Sequence, residues 1–308
     1  MMLPTYEDIL KSLVERDERF MVITAENRAP IRNLPALIGN RFIDTGITEQ
    51  TMIGMCAGLA LRGRIPVAHA LASFLTMRAF EFIRTDIGIP ALPVKVVGYV
   101  PGFLSDGNGP THQAIEDIAL MRGIPGMNIF CPADGHDMAV ALETILLHPS
   151  PFYIRYNNRK PVYAHDDAFS IGRAELVMDG SDVTILTYGF LFSEAYQAAQ
   201  LLKASDISVR LVNLRTLKPV DEELIVRCAK ETRLVVTLED HLTTGGLYSI
   251  VAEILLRQRT PAHVMPLSLK SWFRPGRLNE VLEYEGFTPQ QIAENIQKKL
   301  NSTKVTER

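Results

Sequence analysis

The fold class this sequence predicts is α/β in two domains, each a mostly parallel sheet flanked by helices. Three observations carry the expectation. Short β-branched runs alternate with helical patterns along nearly the whole chain, and strands joined by crossover helices require mostly parallel sheets covered on both faces. The alternation is interrupted once, by a stretch of mixed charge near the middle. The 308 residues are about twice the roughly 150 of an average domain.

The first block opens with a helix at Tyr6–Asp17 and a strand at Arg19–Thr24. A strand at Phe42–Asp44 leads through a glycine turn into a helix at Gln50–Leu61. A strand at Ile65–Ala70 precedes a helix at Thr76–Thr85, and Val94–Tyr99 is the fourth strand. After the segment Pro101–Pro110 come a helix at Gln113–Arg122 and a strand at Asn128–Cys131. The helix Gly135–Leu147 and the strand Phe152–Tyr156 complete residues 1–165, the first domain. Residues 166–182 read as a linker. The second domain, 183–308, alternates Val183–Thr187, Leu191–Ala204, Val209–Asn213, Asp221–Glu231, Arg233–Leu238, Leu247–Gln258 and Ala262–Leu267 as strand and helix in turn. It ends on a polar helix at Pro289–Leu300.

Composition excludes several function classes. Hydrophobic content of 47% and charged content of 22% describe an ordinary globular protein. A net charge of −3 offers no electrostatic footprint for nucleic acid or an anionic membrane. No apolar run reaches the roughly 18–20 residues of a membrane span. The stretch Met1-Met2-Leu3-Pro4-Thr5-Tyr6-Glu7-Asp8 lacks the basic and apolar regions of a signal peptide. Cys56, Cys131 and Cys228 are odd in number and widely spaced, so they read as buried thiols. A cytoplasmic, reducing location is expected.

Open parallel sheets carry their sites on loops beyond the carboxyl ends of strands. Glu49 stands at such a position, in Phe42-Ile43-Asp44-Thr45-Gly46-Ile47-Thr48-Glu49-Gln50, where one acid opens an otherwise apolar helix. A carboxylate there leaves water and needs a compensating partner. The plain alternative is a helix-capping acid favoured by the N-terminal dipole. Ala72-Ser73-Phe74 follows another strand. The segment Leu104-Ser105-Asp106-Gly107-Asn108-Gly109-Pro110-Thr111-His112-Gln113 follows a third, with His112 expected at a helix N-terminus, where its cationic form is disfavoured. Arg155 ends an apolar strand and could grip a phosphate or carboxylate, or form a rim salt bridge.

Taken together, Gly46-Ile47-Thr48-Glu49-Gln50, the Phe74 loop, Gly109-Pro110-Thr111-His112-Gln113 and Arg155 resemble the C-terminal half of a transketolase, in the family's order and spacing. The resemblance also covers Ile115–Arg122, Pro132-Ala133-Asp134, Leu217-Lys218-Pro219-Val220-Asp221, Glu239-Asp240-His241 and Gly245-Gly246. It implies a pyrimidine-binding domain followed by a transketolase C-terminal domain. The Gly-Asp-Gly motif of the family's diphosphate-binding domain is absent from the chain. The resemblance therefore implies one subunit of a split enzyme, in which a separate N-terminal subunit holds most of the thiamine diphosphate tail and Mg²⁺. No metal ligand is expected in this chain, and an α2β2 assembly is the natural expectation.

Matched residue by residue, the resemblance makes Glu49 the partner of the aminopyrimidine N1′ and Phe74 the aromatic stacked on that ring. Leu71 and Met77 fall where many members carry aromatics. His112 would hydrogen-bond the donor sugar near C1 and C2, and Arg155 would bind its remote anionic group. Three departures point to an altered sugar. Asn108 replaces an Asp that reads a hydroxyl, Val100 replaces a His, and Pro30 replaces a phosphate-holding Ser, with Arg28 and Arg32 close by. The implied reaction is transfer of a two-carbon ketol unit from a ketose bearing phosphate or a related anion to an aldehyde. The β subunit of a 2-oxo acid dehydrogenase E1 component, or a non-catalytic regulatory paralogue, remains the alternative; half of a deoxyxylulose-phosphate synthase fits less well, since Phe103–Asn108 does not resemble its loop.

Overall fold

The computed structural model describes residues 4–104 and 107–306. Strands of the first half are β1 (Phe20–Thr24), β2 (Phe42–Asp44), β3 (Ile65–Leu71), β4 (Lys95–Tyr99), β5 (Asn128–Phe130) and β6 (Phe152–Arg155). Those of the second half are β7 (Glu175–Met178), β8 (Val183–Thr187), β9 (Val209–Asn213), β10 (Thr216–Lys218), β11 (Leu234–Leu242) and β12 (Val264–Leu269). They form a seven-stranded sheet, β10-β5-β6-β4-β3-β1-β2, and a five-stranded sheet, β12-β11-β8-β9-β7. Both are parallel except at one edge each, where β10 runs antiparallel to β5 and β7 antiparallel to β9.

The helices α1 (Tyr6–Arg16), α2 (Leu34–Ile38), α3 (Glu49–Leu61), α4 (Phe80–Phe82), α5 (Asp117–Arg122) and α6 (Gly135–Leu147) belong to the first half. In the second half lie α7 (Phe192–Ala204), α8 (Glu222–Glu231), α9 (Leu247–Arg257), α10 (Leu278–Tyr284) and α11 (Pro289–Thr306). Local chemistry sets several of their starts. Thr5 and Asp8 form a reciprocal capping box before α1, which buries Leu10, Leu13 and Val14 on one face. Asp134 caps α6 by accepting from the His136 and Asp137 N–H groups, and Asp221 caps α8 through Leu224. Among the described residues no helix is long and apolar enough to cross a membrane. All three cysteines are free and buried.

The two halves share a core. One apolar cluster contains Met121 and Ile124 from the first half and Leu217, Ile250 and Ile254 from the second. Strand β10, contributed by the second half, extends the first sheet.

Helices α2 and α10 and strand β10 were not expected from the sequence, and four further elements differ from the expectation. Strand β7 lies within residues 166–182, read there as a linker; its four residues are recognisable only by their pairing with β9. Helix α5 starts at Asp117 rather than Gln113 because tertiary pairing takes the preceding backbone. The Ala114 carbonyl accepts from Gly102 N–H, and the Ile115 carbonyl from Leu242 N–H. The regular helix expected at Thr76–Thr85 is instead two π-turns, Phe74–Arg78 and Ile83–Gly88, separated by α4. Strand β12 ends at Leu269, past the expected boundary, because it follows β11 along its length.

Candidate active site

Strands β4, β3, β1 and β2 are consecutive and parallel, so their carboxyl ends line one edge of the first sheet. The loops leaving them carry His112, Phe74, Arg28 and Glu49 respectively. Glu49 opens α3 behind Thr48 and is only 2% exposed. Its Oε2 accepts a 2.9 Å bond from Arg78 Nη1, whereas Oε1 accepts none from the described residues. A carboxylate this deep would be costly alone; the Arg78 guanidinium and the free N–H groups of the first turn of α3 compensate it.

The wide first π-turn brings Arg78 over the residue four positions before it. The guanidinium carbon lies 4.1 Å from the centre of the Phe74 ring. The His112 ring meets the same phenyl group edge-on, with centroids 5.0 Å apart. His112, Phe74, Arg78 and Glu49 therefore form a continuous line. π-turns inside helices recur at functional sites, and here the turn carries both Phe74 and Arg78.

His112 does not begin a helix. It sits in a turn five residues before α5. Its Nδ1 lies 2.9 Å from Thr111 Oγ1, and Nε2 has no partner among the described residues. Leu71 ends β3 half-buried, and Met77 is 40% exposed on the π-turn. Between them Ser73 Oγ is buried without a partner among the described residues.

Asn108 is exposed on the loop that carries His112. That loop is anchored to the second half: Gly107 N–H donates to the Gly276 carbonyl, and Gly109, at a φ of +74°, lies against Pro275. Ser105 and Asp106 lie outside the described residues. Arg28 donates through Nε to Asp44 at 3.0 Å and overlies Phe42, leaving its side chain 53% exposed. Asp44 also accepts from Gly46 N–H, so Arg28 stands directly beside the turn that delivers Glu49. Val100 follows β4 with a positive φ of 50°, and Pro30 is buried in a 3₁₀ turn after β1.

Arg155, expected to bind a substrate anion, is instead enclosed by protein groups. Its side chain is 2% exposed and saturated by protein groups. Nε donates to Asp117 at 2.8 Å, Nη1 to Asp240 Oδ1 at 2.8 Å and Nη2 to Asp240 Oδ2 at 3.2 Å. Tyr153 adds a 2.6 Å bond to Asp117. Arg155 thus joins α5 to β11 across the two halves, and none of its charge faces a cleft. The sequence reading also missed Arg78. The available signal was a Phe-x-x-x-Arg spacing directly after a strand, which brings cation and ring together on one helical face.

The elements around Glu49 and Phe74 also expose apolar side chains. Helix α3 is apolar on nearly every side, yet Leu61 is 71% exposed and Ile47, just before the helix, 65%. Phe82 and Ile89 also face outward. A helix of this composition is normally enclosed, so the face reads as an interface.

Comparison with known proteins identifies the family. Residues 2–161 match the family model for the transketolase pyrimidine binding domain and residues 172–292 that for the transketolase C-terminal domain. The 6-deoxy-6-sulfo-D-fructose transketolase subunit of Clostridium sp. (strain MSTE9) is 35% identical over 293 residues, covering 94% of this chain and 91% of that protein. One subunit of the apulose-4-phosphate transketolase of Phocaeicola vulgatus is 32% identical over 270 residues, 85% of either chain. A solved structure described as a split-gene transketolase, inactive beta4 tetramer, superposes with a TM-score of 0.87 at 35% identity, covering 96% of this chain and 97% of that one. The chain belongs to the transketolase family, of which it contains the pyrimidine-binding and C-terminal domains.

Proposed function

We propose that the chain is the C-terminal subunit of a split, thiamine-diphosphate-dependent transketolase that moves a two-carbon ketol unit from an anionic ketose to an aldehyde acceptor. The observation that carries this reading is the buried Glu49 carboxyl group set beside the Phe74 ring. The residues present fit an aminopyrimidine. A flat ring needs an aromatic face and one acidic partner, and Phe74 and Glu49, whose Oε1 has no partner among the described residues, supply both.

When bound, thiamine diphosphate supplies the carbanion that breaks and remakes the carbon–carbon bond. The chain contributes the rest through named side chains. Glu49 shares a proton with the pyrimidine N1′, general acid–base assistance worth about 10²–10⁴-fold. Phe74 orients the ring, with Leu71 and Met77 as an aliphatic wall beside it. His112, through its open Nε2, hydrogen-bonds the donor sugar near its carbonyl, and Asn108 on the same loop reads a hydroxyl.

Remote anion binding falls to Arg28, with exposed Arg32 in the same loop, in place of Arg155. The relatives act, by their names, on a sulfonated ketose and on apulose 4-phosphate, which supports a substrate unlike the common sugar phosphates. Asn108, Val100 and Pro30 point the same way.

An N-terminal partner chain completes the site by holding the diphosphate and Mg²⁺, and covers the apolar face of α3 in an α2β2 assembly in the cytoplasm. Among the described residues no group of three or more His, Cys, Asp or Glu could hold a metal. Reconstitution tests the proposal. The chain alone should not turn over a ketose; with the partner, thiamine diphosphate and Mg²⁺ it should convert an anionic ketose and an aldehyde into new sugars. Turnover by the chain alone, or release of CO₂ from a 2-oxo acid by the pair, would reject it.

A further inference from the structure

Arg78 makes the same two contacts that the proposed function assigns to the cofactor's pyrimidine: it stacks on Phe74 and bonds Glu49. A guanidinium is itself a flat, hydrogen-bonding group of nearly the right shape. Two planar groups cannot share the face of Phe74 that Arg78 covers, although Glu49 keeps Oε1 open beside the Oε2 that Arg78 holds. The side chain is held only at its tip and is 43% exposed, so it can swing to solvent. The Glu49 carboxylate, 3% exposed, has no other charged partner among the described residues.

We propose that Arg78 is a displaceable placeholder in the cofactor site: it neutralises Glu49 and covers Phe74 in the cofactor-free chain, and gives up both to the aminopyrimidine. The inference rests on the proposed function of Glu49 and Phe74. It makes cofactor binding an exchange of one planar partner for another, so the affinity measured is reduced by the contact that must first break. It also gives the buried carboxylate a partner during the interval when the subunit exists without cofactor.

The test is titration of thiamine diphosphate, at saturating Mg²⁺, into the reconstituted two-chain complex. Arg78→Gln removes the charge and the competing contact, and should tighten binding by on the order of 10-fold, the scale of a half-exposed charge-assisted hydrogen bond. Arg78→Lys keeps the charge but not the flat stack and should tighten it less; it carries the test if the glutamine variant does not fold. A crystal structure of the loaded complex should show Arg78 turned away from Glu49. Unchanged or weaker binding in both variants, or an intact Arg78–Glu49 pair beside the bound ring, would overturn the placeholder. Failure of the underlying reading looks different: Glu49→Gln would then turn over normally.

Discussion

Two regions of this chain bury charge, and they do it in opposite ways. At the seam between the halves, Arg155 is enclosed by Asp117 and Asp240, with Tyr153 closing on the same carboxylate. Close by, His165 lies between Asp134 and Glu175 at 2.9 and 2.7 Å, and Arg215 reaches Asp137 and Glu175. Along the edge of the first sheet, Glu49 has one partner among the described residues, and that partner is half in water. A cluster in which each cation faces two carboxylates fixes geometry, since removing a cation leaves bare buried charges. A buried carboxylate with a single loose partner keeps capacity for another ligand. The number of opposite charges around each buried group separates scaffold from site here better than burial does, because both regions are equally deep.

The contrast breaks most visibly at Glu49. Glu49→Gln in the reconstituted complex should lower turnover by about 10²–10⁴-fold, while complex mass and melting temperature stay near those of the parent. An equal loss of stability would place Glu49 with the scaffold. The mirror experiment is Arg155→Met. It strands Asp117 and Asp240 and should cost about 3–5 kcal/mol in urea unfolding. A variant with parental stability but a raised KM for the ketose would return Arg155 to the substrate site.

Next in size is a pH effect confined to the seam. Burial works against a charged His165, but its bonds to Asp134 and Glu175 overcome this and raise its pKa from 6.5 to about 9. Burial likewise opposes ionised Glu175, yet His165 and the Asp166 N–H hold its pKa down, from 4.5 to about 2. The raised His165 stabilises the fold fully below pH 6.5, and that share is lost as pH climbs through 9. The depressed Glu175 stabilises it above pH 4.5, and that share is lost as pH falls through 2. Thermal melts should therefore show this cluster contributing most between pH 4.5 and 6.5. His165→Asn should flatten the alkaline limb; a limb of undiminished steepness would exclude His165 as its source.

The smallest effect is expected at Arg28. Its pair with Asp44 is exposed, so Arg28→Ala should change stability by less than about 1 kcal/mol. The KM for an anionic ketose should rise while assembly is unaffected. An unaltered KM would remove Arg28 from anion binding.

Glu49 was legible in the sequence because its context is local: a strand, a glycine turn, then one acid opening an apolar helix. Phe74 and His112 were legible as side chains on strand-end loops, which parallel sheets gather at one edge whatever the details of packing. The alternation of strands and helices was enough to give two parallel sheets, since crossover connections allow little else. Strand β10 was not legible, because three residues acquire a meaning only beside β5.

Arg155 shows where sequence stops. A strand-end arginine looks the same whether it faces a ligand or a carboxylate, and its partners lie 38 and 85 positions away. Arg78 is the converse case. Its i,i+4 spacing from Phe74 is visible in the sequence, but its bond to Glu49, 29 positions away, is not. Sequence alone determined the architecture and the identity of the buried acid, because both follow from short-range pattern. Which charges are closed off and which stay open was decided only by tertiary structure, since that depends on distances between residues far apart in the chain.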